Sequence, residues 1–187
     1  MRKRKQGHLG GNQIGGDPAT YYPTLWDWLI AKFNLQSVLD IGCAEGHALE
    51  YFKLKGLSVF GIDGLERNIE EVQKRQIPSA TIDLTKTHYQ HPTKLDLGWC
   101  CEVVEHVEAQ YVGNILQSFM NCKMIAMTHA VPRQRGYHHV NCQNDEYWIE
   151  QLKSVGFNYL ETESMEGRAM TTTGYFRKSG LIFVRAV

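Results

Sequence analysis

Residues that can move protons or bind cations are concentrated in two stretches of the 187-residue chain. In the first stretch, Glu102, Glu105 and His106 stand at positions i, i+3 and i+4, so on a helix they would share one face. The second stretch, from His129 to Cys142, contains three histidines and two arginines. Imidazole is the side chain that titrates nearest neutral pH, so both stretches are typical of acid–base chemistry.

An alcohol loses its proton as it attacks an electrophile, and His106 and His139 are the candidate catalytic bases for such a step. His129 and His138 are further candidates in the same loop. Its arginines, Arg133 and Arg135, are candidate anion anchors. The length and polarity of this loop, inside a compact domain, indicate a binding role.

Two carboxylates and two imidazoles, from Glu102, Glu105, His106 and either His138 or His139, could also hold a divalent cation. The alternative interpretation is that Glu105 and His106 cap the helix or pair with their neighbours. This second interpretation is favoured, so no metal ligand is predicted, although a divalent cation stays open as an additional cofactor.

Acidic residues follow three predicted strands, which places them where a parallel sheet binds ligands. The apolar run Val38–Ile41 ends in Gly42 and feeds a helix after Gly46, a strand–turn–helix pattern that brings backbone N–H groups close to a ligand. The next two strands end at Asp63 and Asp83. An acidic residue at the second strand end is suited to a pair of ribose hydroxyls.

The glycine spacing excludes a dinucleotide fingerprint, because no middle glycine lies between Gly42 and Gly46 to make room for a pyrophosphate. Asp40, Asp63 and Asp83, with Glu45, would surround the ligand with negative charge, which favours a sulfonium and an ammonium over phosphates.

The run Val38-Leu39-Asp40-Ile41-Gly42-Cys43-Ala44-Glu45-Gly46, followed by Gly61-Ile62-Asp63-Gly64, resembles the first two motifs of class I S-adenosylmethionine-dependent methyltransferases. The usual pattern has glycine where this chain has Ala44, which matters if that position needs a positive φ. The resemblance implies S-adenosyl-L-methionine as cofactor, S-adenosyl-L-homocysteine as product, and an adenine site at Asp83 and Leu84. The cofactor-binding residues expected on this basis are Asp40, Gly42, Cys43, Ala44, Gly46, Asp63, Gly64, Asp83, Leu84 and Cys100.

The fold expected is an α/β, Rossmann-like, seven-stranded and mostly parallel sheet with helices on both faces and a C-terminal antiparallel hairpin. Residues 18–187 are predicted to form this single domain, after a flexible, basic and glycine-rich segment at 1–17. Strands are expected at 37–41, 57–62, 80–84, 95–100, 123–128, 158–162 and 181–185. Helices are expected at 20–33, 47–55, 66–76, 102–107, 109–119 and 145–152. The segment 166–179 is interpreted as a connection between strands, and the alternative is that its Arg168, Tyr175, Phe176 and Arg177 line the acceptor pocket.

The composition of the chain limits the classes of binding partner. The formal net charge is zero, which gives no electrostatic footprint for nucleic acid, and no apolar run is long enough to span a membrane. Five cysteines without a C-x-x-C pair argue against a disulfide framework. A cytoplasmic protein with a small-molecule acceptor is therefore expected. Tyr21, Tyr22, Trp26 and Trp28 are expected to pack a helix onto the sheet, with a flap over the cofactor as the alternative.

Further resemblances bear on the acceptor. The Glu102–Val107 segment resembles small-molecule and quinone O-methyltransferases, and its Glu-x-x-Glu-His pattern also resembles the metal site of small-RNA 2'-O-methyltransferases. The segment 136–157 resembles methyltransferases of phage genomes and glycan-modification clusters. The function expected is methyl transfer to a hydroxyl oxygen of a small polar acceptor such as a sugar. The alternatives are a metal-dependent RNA-terminal 2'-O-methyltransferase and a non-catalytic S-adenosylmethionine-binding protein.

Overall fold

The computed structural model describes residues 7–172 and 174–186. The basic cluster at residues 2–5 lies outside the described residues. Within the described ranges, no helix combines the length and the apolar character needed to cross a bilayer.

A single sheet of seven strands forms the centre of the molecule. The strands are β1 (Ser37–Ile41), β2 (Ser58–Asp63), β3 (Ser79–Thr81), β4 (Leu95–Cys100), β5 (Cys122–Met127), β6 (Phe157–Tyr159) and β7 (Leu181–Arg185). Their spatial order is β3-β2-β1-β4-β5-β7-β6. The five strands from β3 to β5 pair in parallel, and β7 runs antiparallel to both β5 and β6. The predicted fold class is thereby confirmed.

Seven α-helices connect the strands. They are α1 (Pro23–Phe33), α2 (His47–Leu54), α3 (Glu66–Lys74), α4 (Val112–Phe119), α5 (Asp145–Ser154), α6 (Glu161–Met170) and α7 (Tyr175–Ser179). Local sequence explains several of their ends. Pro23 begins α1 because its fixed φ suits the first helical position, and Asn144 caps α5 by accepting the Tyr147 N–H at 3.0 Å.

Strand side chains alternate between the two faces of the sheet, and each face is covered by helices. On one face, Ile125 and Met127 of β5 share a core with α4 and α5. On the other face, Met124 and Ala126 pack with α1 and with Phe176 of α7. The parallel strands β1 and β4 are almost wholly buried, as expected for strands covered on both sides.

The aromatic residues before β1 pack a helix onto the sheet, the favoured of the two interpretations. Trp26 is completely buried, and its ring lies 5.7 Å from that of Trp99 on β4, centroid to centroid. Tyr22 is buried, and its hydroxyl oxygen accepts hydrogen bonds from the backbone N–H groups of Tyr175 and Phe176. This contact ties α1 to α7.

Several predicted elements differ from the structure. The strand expected at 80–84 is Ser79–Thr81 and ends two residues before Asp83. The strand expected at 158–162 is Phe157–Tyr159, because α6 begins at Glu161. The helix expected from residue 20 begins at Pro23, after a separate 3₁₀ turn at Pro18–Thr20. The helix expected at 102–107 is only a 3₁₀ turn, Val104–His106, because Glu102 has a left-handed φ of 56° that precludes a continuous helix. The connection expected at 166–179 is mostly helical and comprises the end of α6 and all of α7.

Candidate active site

A cavity of about 640 Å³ opens at the carboxyl ends of β1, β2 and β4, where ligands of open α/β sheets bind. Its lining comes from the loops after these strands, from the loop after β5, and from the segment that precedes α1. Eight of the ten predicted cofactor-binding residues line it: Asp40, Gly42, Cys43, Ala44, Asp63, Gly64, Asp83 and Leu84.

The loop between β1 and α2 is built around left-handed backbone conformations. Gly42 has a φ of 77°, and a Cβ atom there would lie 2.3 Å from Cγ2 of Val103. Ala44, which replaces the glycine of the usual pattern, has a φ of 46°. The substitution noted in the sequence therefore falls where an L-residue is strained. Gly46, the residue before α2, faces Val72 of α3 and is absent from the lining.

Asp63, at the end of β2, organises this loop. Its Oδ2 accepts the Ala44 N–H at 3.0 Å, and its Oδ1 accepts the Leu65 N–H and the Asn68 amide. Burial raises the pKa of Asp63, and these hydrogen bonds partly offset the effect. Oxygen lone pairs remain on a carboxylate with three donors, so it can still accept from a ribose hydroxyl.

Asp40 adds a second carboxyl group beside Asp63. It is 3% exposed, and burial, followed by the negative charge of Asp63, holds its pKa well above the usual range. A positively charged ligand in the cavity would relieve this repulsion, whereas an anionic one would add to it.

Asp83 lies two residues beyond β3 and is held by several donors. Partial burial raises its pKa, but hydrogen bonds from Thr85, His8 and Lys86 outweigh burial and keep the pKa well below the usual range. The contact with His8 joins Nε2 to Oδ2 at 2.9 Å.

His8 belongs to the N-terminal strap (residues 8–17), a segment predicted from sequence to be flexible, with a flap over the cofactor only as the alternative. The strap crosses the mouth of the cavity, and most of its residues line it. Gly15 N–H donates to Glu45 at 3.0 Å, and the Leu9 side chain lies over Gly64. Glycine-rich sequence without periodicity gives no signal for such a position, because the contacts that fix it are 30 or more residues away.

The two candidate bases face each other across the cavity wall. The rings of His106 and His139 lie 5.0 Å apart, and together with Glu105 they present side-chain ligand atoms that all fall within 4.8 Å. His139 Nδ1 lies 3.2 Å from the Gln134 carbonyl, which can only accept, so Nδ1 carries the proton and Nε2 the lone pair. Burial, followed by the neighbouring His139, lowers the pKa of His106 to about 4.

Glu105 is the unusual member of this cluster. Its side chain is completely buried, and its carboxyl group faces the acidic group of Glu102, with no other side-chain hydrogen bond among the described residues. Burial, followed by the negative charge of Glu102, raises its pKa well above the usual range. A buried carboxyl group that faces only another acid is costly, so this group is a candidate for binding a ligand. Of the interpretation favoured from sequence, pairing with a neighbour describes Glu105 and capping does not.

Glu102 lines the cavity from the other side of the same turn. The Thr128 hydroxyl donates to Glu102 Oε1 at 2.9 Å, and the Glu102 backbone N–H donates to Thr128 Oγ1 at 2.8 Å. Burial raises its pKa and the Thr128 hydrogen bond lowers it, with a net increase.

His129 has a different role from the one proposed from sequence. It is 1% exposed and absent from the cavity lining; its Nε2 lies 2.9 Å from Asp145, which also accepts from Arg168 at 2.7 Å. Its backbone N–H and C=O both bond to the Ser179 hydroxyl. His129 therefore anchors the start of the loop after β5 to α5 and α7. His138 is also absent from the lining, as is the fully buried Cys100, whose neighbour Cys101 lines the cavity instead.

Comparison with known proteins agrees with this geometry. Residues 39–122 match the family described as "Methyltransferase domain". The magnesium protoporphyrin IX methyltransferase of Synechocystis, solved with bound S-adenosylmethionine, superposes with a TM-score of 0.61 at 23% identity over 86% of this chain and 76% of that one. The chain therefore has the fold of these methyltransferases, and its residues 39–122 match the methyltransferase-domain family. The Synechocystis enzyme has been solved with S-adenosylmethionine and also with S-adenosylhomocysteine bound.

Two further similarities are also to methyltransferases. A TehB-like methyltransferase of Corynebacterium glutamicum has a TM-score of 0.67 at 15% identity, covering 92% of this chain and 90% of that one. The ubiquinone biosynthesis O-methyltransferase of Leptothrix cholodnii is 30% identical over 98 residues, which are 46% of this chain and 40% of the relative. The match thus spans about two fifths of the length of that curated relative.

The cavity residues of this class I domain fit the cofactor. Gly42 keeps the backbone open at the first loop, Asp63 retains lone pairs for hydroxyl groups, and the paired carboxyl groups of Asp40 and Asp63 favour a cation. Asp83 would accept a hydrogen bond from the adenine amino group while it also binds His8. His8 of the strap would therefore lie on the adenine side of the site.

Proposed function

We propose that the protein transfers a methyl group from S-adenosylmethionine to a hydroxyl oxygen of a small polar acceptor. The observation that carries this proposal is the presence of two imidazoles, those of His106 and His139, in the wall of the cavity that the acidic strand ends form. The partial relative from Leptothrix cholodnii, an O-methyltransferase by name, supports an oxygen acceptor.

Bound S-adenosylmethionine would supply an electrophilic methyl group. A sulfonium or ammonium group beside Asp40 and Asp63 would favour the ionised forms of these carboxyl groups, so the pair favours a positively charged ligand over its neutral product. His139, whose Nε2 carries a lone pair because Nδ1 donates to Gln134, accepts the hydroxyl proton. His106 stays neutral near pH 7 because its pKa is about 4, so it orients the acceptor or His139 without adding charge.

The proposal is tested by measuring S-adenosylhomocysteine release with a panel of hydroxylated compounds. We expect turnover with at least one of them, and a large loss in kcat for His139→Gln with little change in cofactor affinity. General-base catalysis typically contributes about 10²- to 10⁴-fold, which sets the size of the loss. His88→Gln, on the loop between β3 and β4, is a matched control because His88 does not line the cavity. Undiminished turnover in His139→Gln would contradict the role of this residue.

A second candidate function rests on Glu105. A carboxylate and two imidazoles whose ligand atoms lie within 4.8 Å form a donor set suited to a divalent transition metal, and Glu105 otherwise faces only the acidic group of Glu102 among the described residues. A cation there would assist methyl transfer to an acceptor with neighbouring hydroxyls, such as the terminal ribose of an RNA. Its contribution would be to polarise the acceptor oxygen.

Chelation separates the two candidates. Turnover that survives EDTA dialysis, and a wild-type thermal transition unchanged by Mn²⁺ or Zn²⁺, favour the histidine base alone. The metal-dependent reaction is favoured if chelation abolishes turnover, if one cation restores it, and if Glu105→Gln shows no turnover with that cation.

A further inference from the structure

We infer that the acceptor carries an oxyanion, such as a phosphate, sulfate or carboxylate, and that Arg133 and Arg135 bind it at the rim of the active site. This inference deepens the proposed function, because it names the chemical class of the acceptor. It starts from an open groove beside the main cavity, lined by Arg133, Gln134, Arg135, Gly136, His139, Val140 and Cys142.

The groove and the cavity are neighbours. They share four lining residues: Gln134, Arg135, Gly136 and His139. His139, the candidate base, thus stands between them. An acceptor in the groove would present its hydroxyl to His139 while the rest of the molecule extends over the two arginines.

Charge is distributed unevenly between the two spaces. Asp40, Asp63 and Glu102 line the cavity, whereas the groove lining given above has two arginines and no carboxylate among the described residues. An oxyanion deep in the cavity would face these acidic groups at short range. The charge pattern therefore orients an anionic acceptor with its hydroxyl inward and its anion at the groove.

The two guanidinium groups are available for a ligand. Both side chains are exposed, and within residues 7–172 and 174–186 neither forms a hydrogen bond or an ion pair. Arginine is the side chain best matched to oxyanions, because its planar fork donates two parallel hydrogen bonds. Two such groups on one turn are too few for a polynucleotide, which requires many phosphate contacts for useful affinity.

The backbone that carries the arginines is fixed before any ligand binds. Gln134 N–H donates to the Val131 carbonyl at 2.9 Å and closes a turn, and the Gln134 carbonyl holds His139 Nδ1 at 3.2 Å. The Gln134 side chain in turn accepts from Lys178 at 2.7 Å. Arg133 occupies the third turn position with a φ of 69°, where glycine is favoured. A strained arginine on a preorganised turn is typical of a functional position.

The test is calorimetric titration of inorganic phosphate, and separately of acetate, into the full chain saturated with S-adenosylhomocysteine. The variants are Arg133→Gln, Arg135→Gln and the double variant. The control, Lys74→Gln, removes the same charge from the C-terminal end of α3, at the opposite end of the sheet. Comparing phosphate with acetate shows which oxyanion the arginines prefer.

We expect one phosphate site in the wild type, roughly tenfold weaker in each single variant because a charge-assisted contact is lost, and undetectable in the double variant. Lys74→Gln should bind phosphate like the wild type. Absence of phosphate and acetate binding to the wild type, or equal binding to the double variant, would overturn the inference. Tighter binding of a single-stranded RNA 12-mer than of phosphate, lost in the double variant, would also overturn it in favour of a polynucleotide.

The affinity for S-adenosylhomocysteine is measured on the same samples and is expected to be unchanged in Arg133→Gln, because Arg133 lines the groove and not the main cavity. Failure of the wild type to bind this ligand would contradict the proposed function. Titration of phosphate into the chain without cofactor would still test the arginines, so the two failures are distinguishable.

Discussion

Replacing Gly42 by alanine tests the first loop of the site most sharply. The backbone there has a φ of 77°, and a left-handed conformation costs an L-residue about 1–2 kcal/mol. The new Cβ would lie 2.3 Å from Cγ2 and 3.0 Å from Cγ1 of Val103, an overpacking that costs about 1–3 kcal/mol more. We therefore expect Gly42→Ala to lower the free energy of unfolding by about 2–5 kcal/mol.

Gly56→Ala is the matched control, because Gly56 has a φ of 87° and nothing within 4 Å of the position of a Cβ. Backbone strain, and the entropy that alanine removes from the unfolded chain, are common to both variants and cancel in their comparison. The difference between them, about 1–3 kcal/mol in urea unfolding, isolates the contact with Val103. Val103→Ala should recover most of it in a double-mutant cycle. Equal destabilisation by Gly42→Ala and Gly56→Ala would contradict the steric conflict between a Cβ at position 42 and Val103.

Three further predictions concern stability. Ala44→Gly should raise the free energy of unfolding by up to about 1 kcal/mol, since relief of left-handed strain exceeds the entropy cost of glycine. A lower free energy of unfolding in urea would contradict the strain expected from the φ of 46°. Ser179→Ala should cost about 2–4 kcal/mol by leaving the buried N–H and C=O of His129 unpaired, while Ser154→Ala, on an exposed turn of α5, should cost less than about 0.5. Hydrogen bonds from His129 and then Arg168 lower the pKa of Asp145. The difference in free energy of unfolding between wild type and Asp145→Asn should therefore be constant at neutral pH and shrink only as pH falls below about 4. A difference that shrinks above pH 6 would contradict this prediction.

The strands and the acidic positions at their ends could be predicted because their signals are local. Mostly apolar runs such as 37–41 and 95–100 are typical of strands buried on both faces, and the first is followed by the turn residue Gly42. The topology then brings Asp63 and Asp83 to one edge of the sheet without further information.

The segment after β4 could not be predicted in the same way. Spacing of i, i+3 and i+4 fits a helix, but the left-handed φ of Glu102 and the burial of Glu105 are imposed by distant contacts. The Glu105 carbonyl accepts the N–H groups of Val140 and Asn141, which lock the turn against the loop after β5. Local periodicity contains no trace of such a contact.

The same reasoning explains the histidines of that loop. His129, His138 and His139 are equivalent in sequence, and only tertiary packing separates a buried anchor from a residue on the cavity wall. Asp145, the partner that holds His129, lies 16 residues further along the chain and looks like an ordinary first-turn residue of α5.

Binding of S-adenosylhomocysteine in the main cavity is the most direct test of the proposed function. It is measured by isothermal titration into the purified full chain, with NAD as comparison. We expect one saturable site for S-adenosylhomocysteine and none for NAD. In urea unfolding, S-adenosylhomocysteine at one hundred times its dissociation constant should stabilise the chain by about 2.7 kcal/mol. Absence of binding by S-adenosylhomocysteine, or tighter binding of NAD at the same cavity, would contradict the central claim.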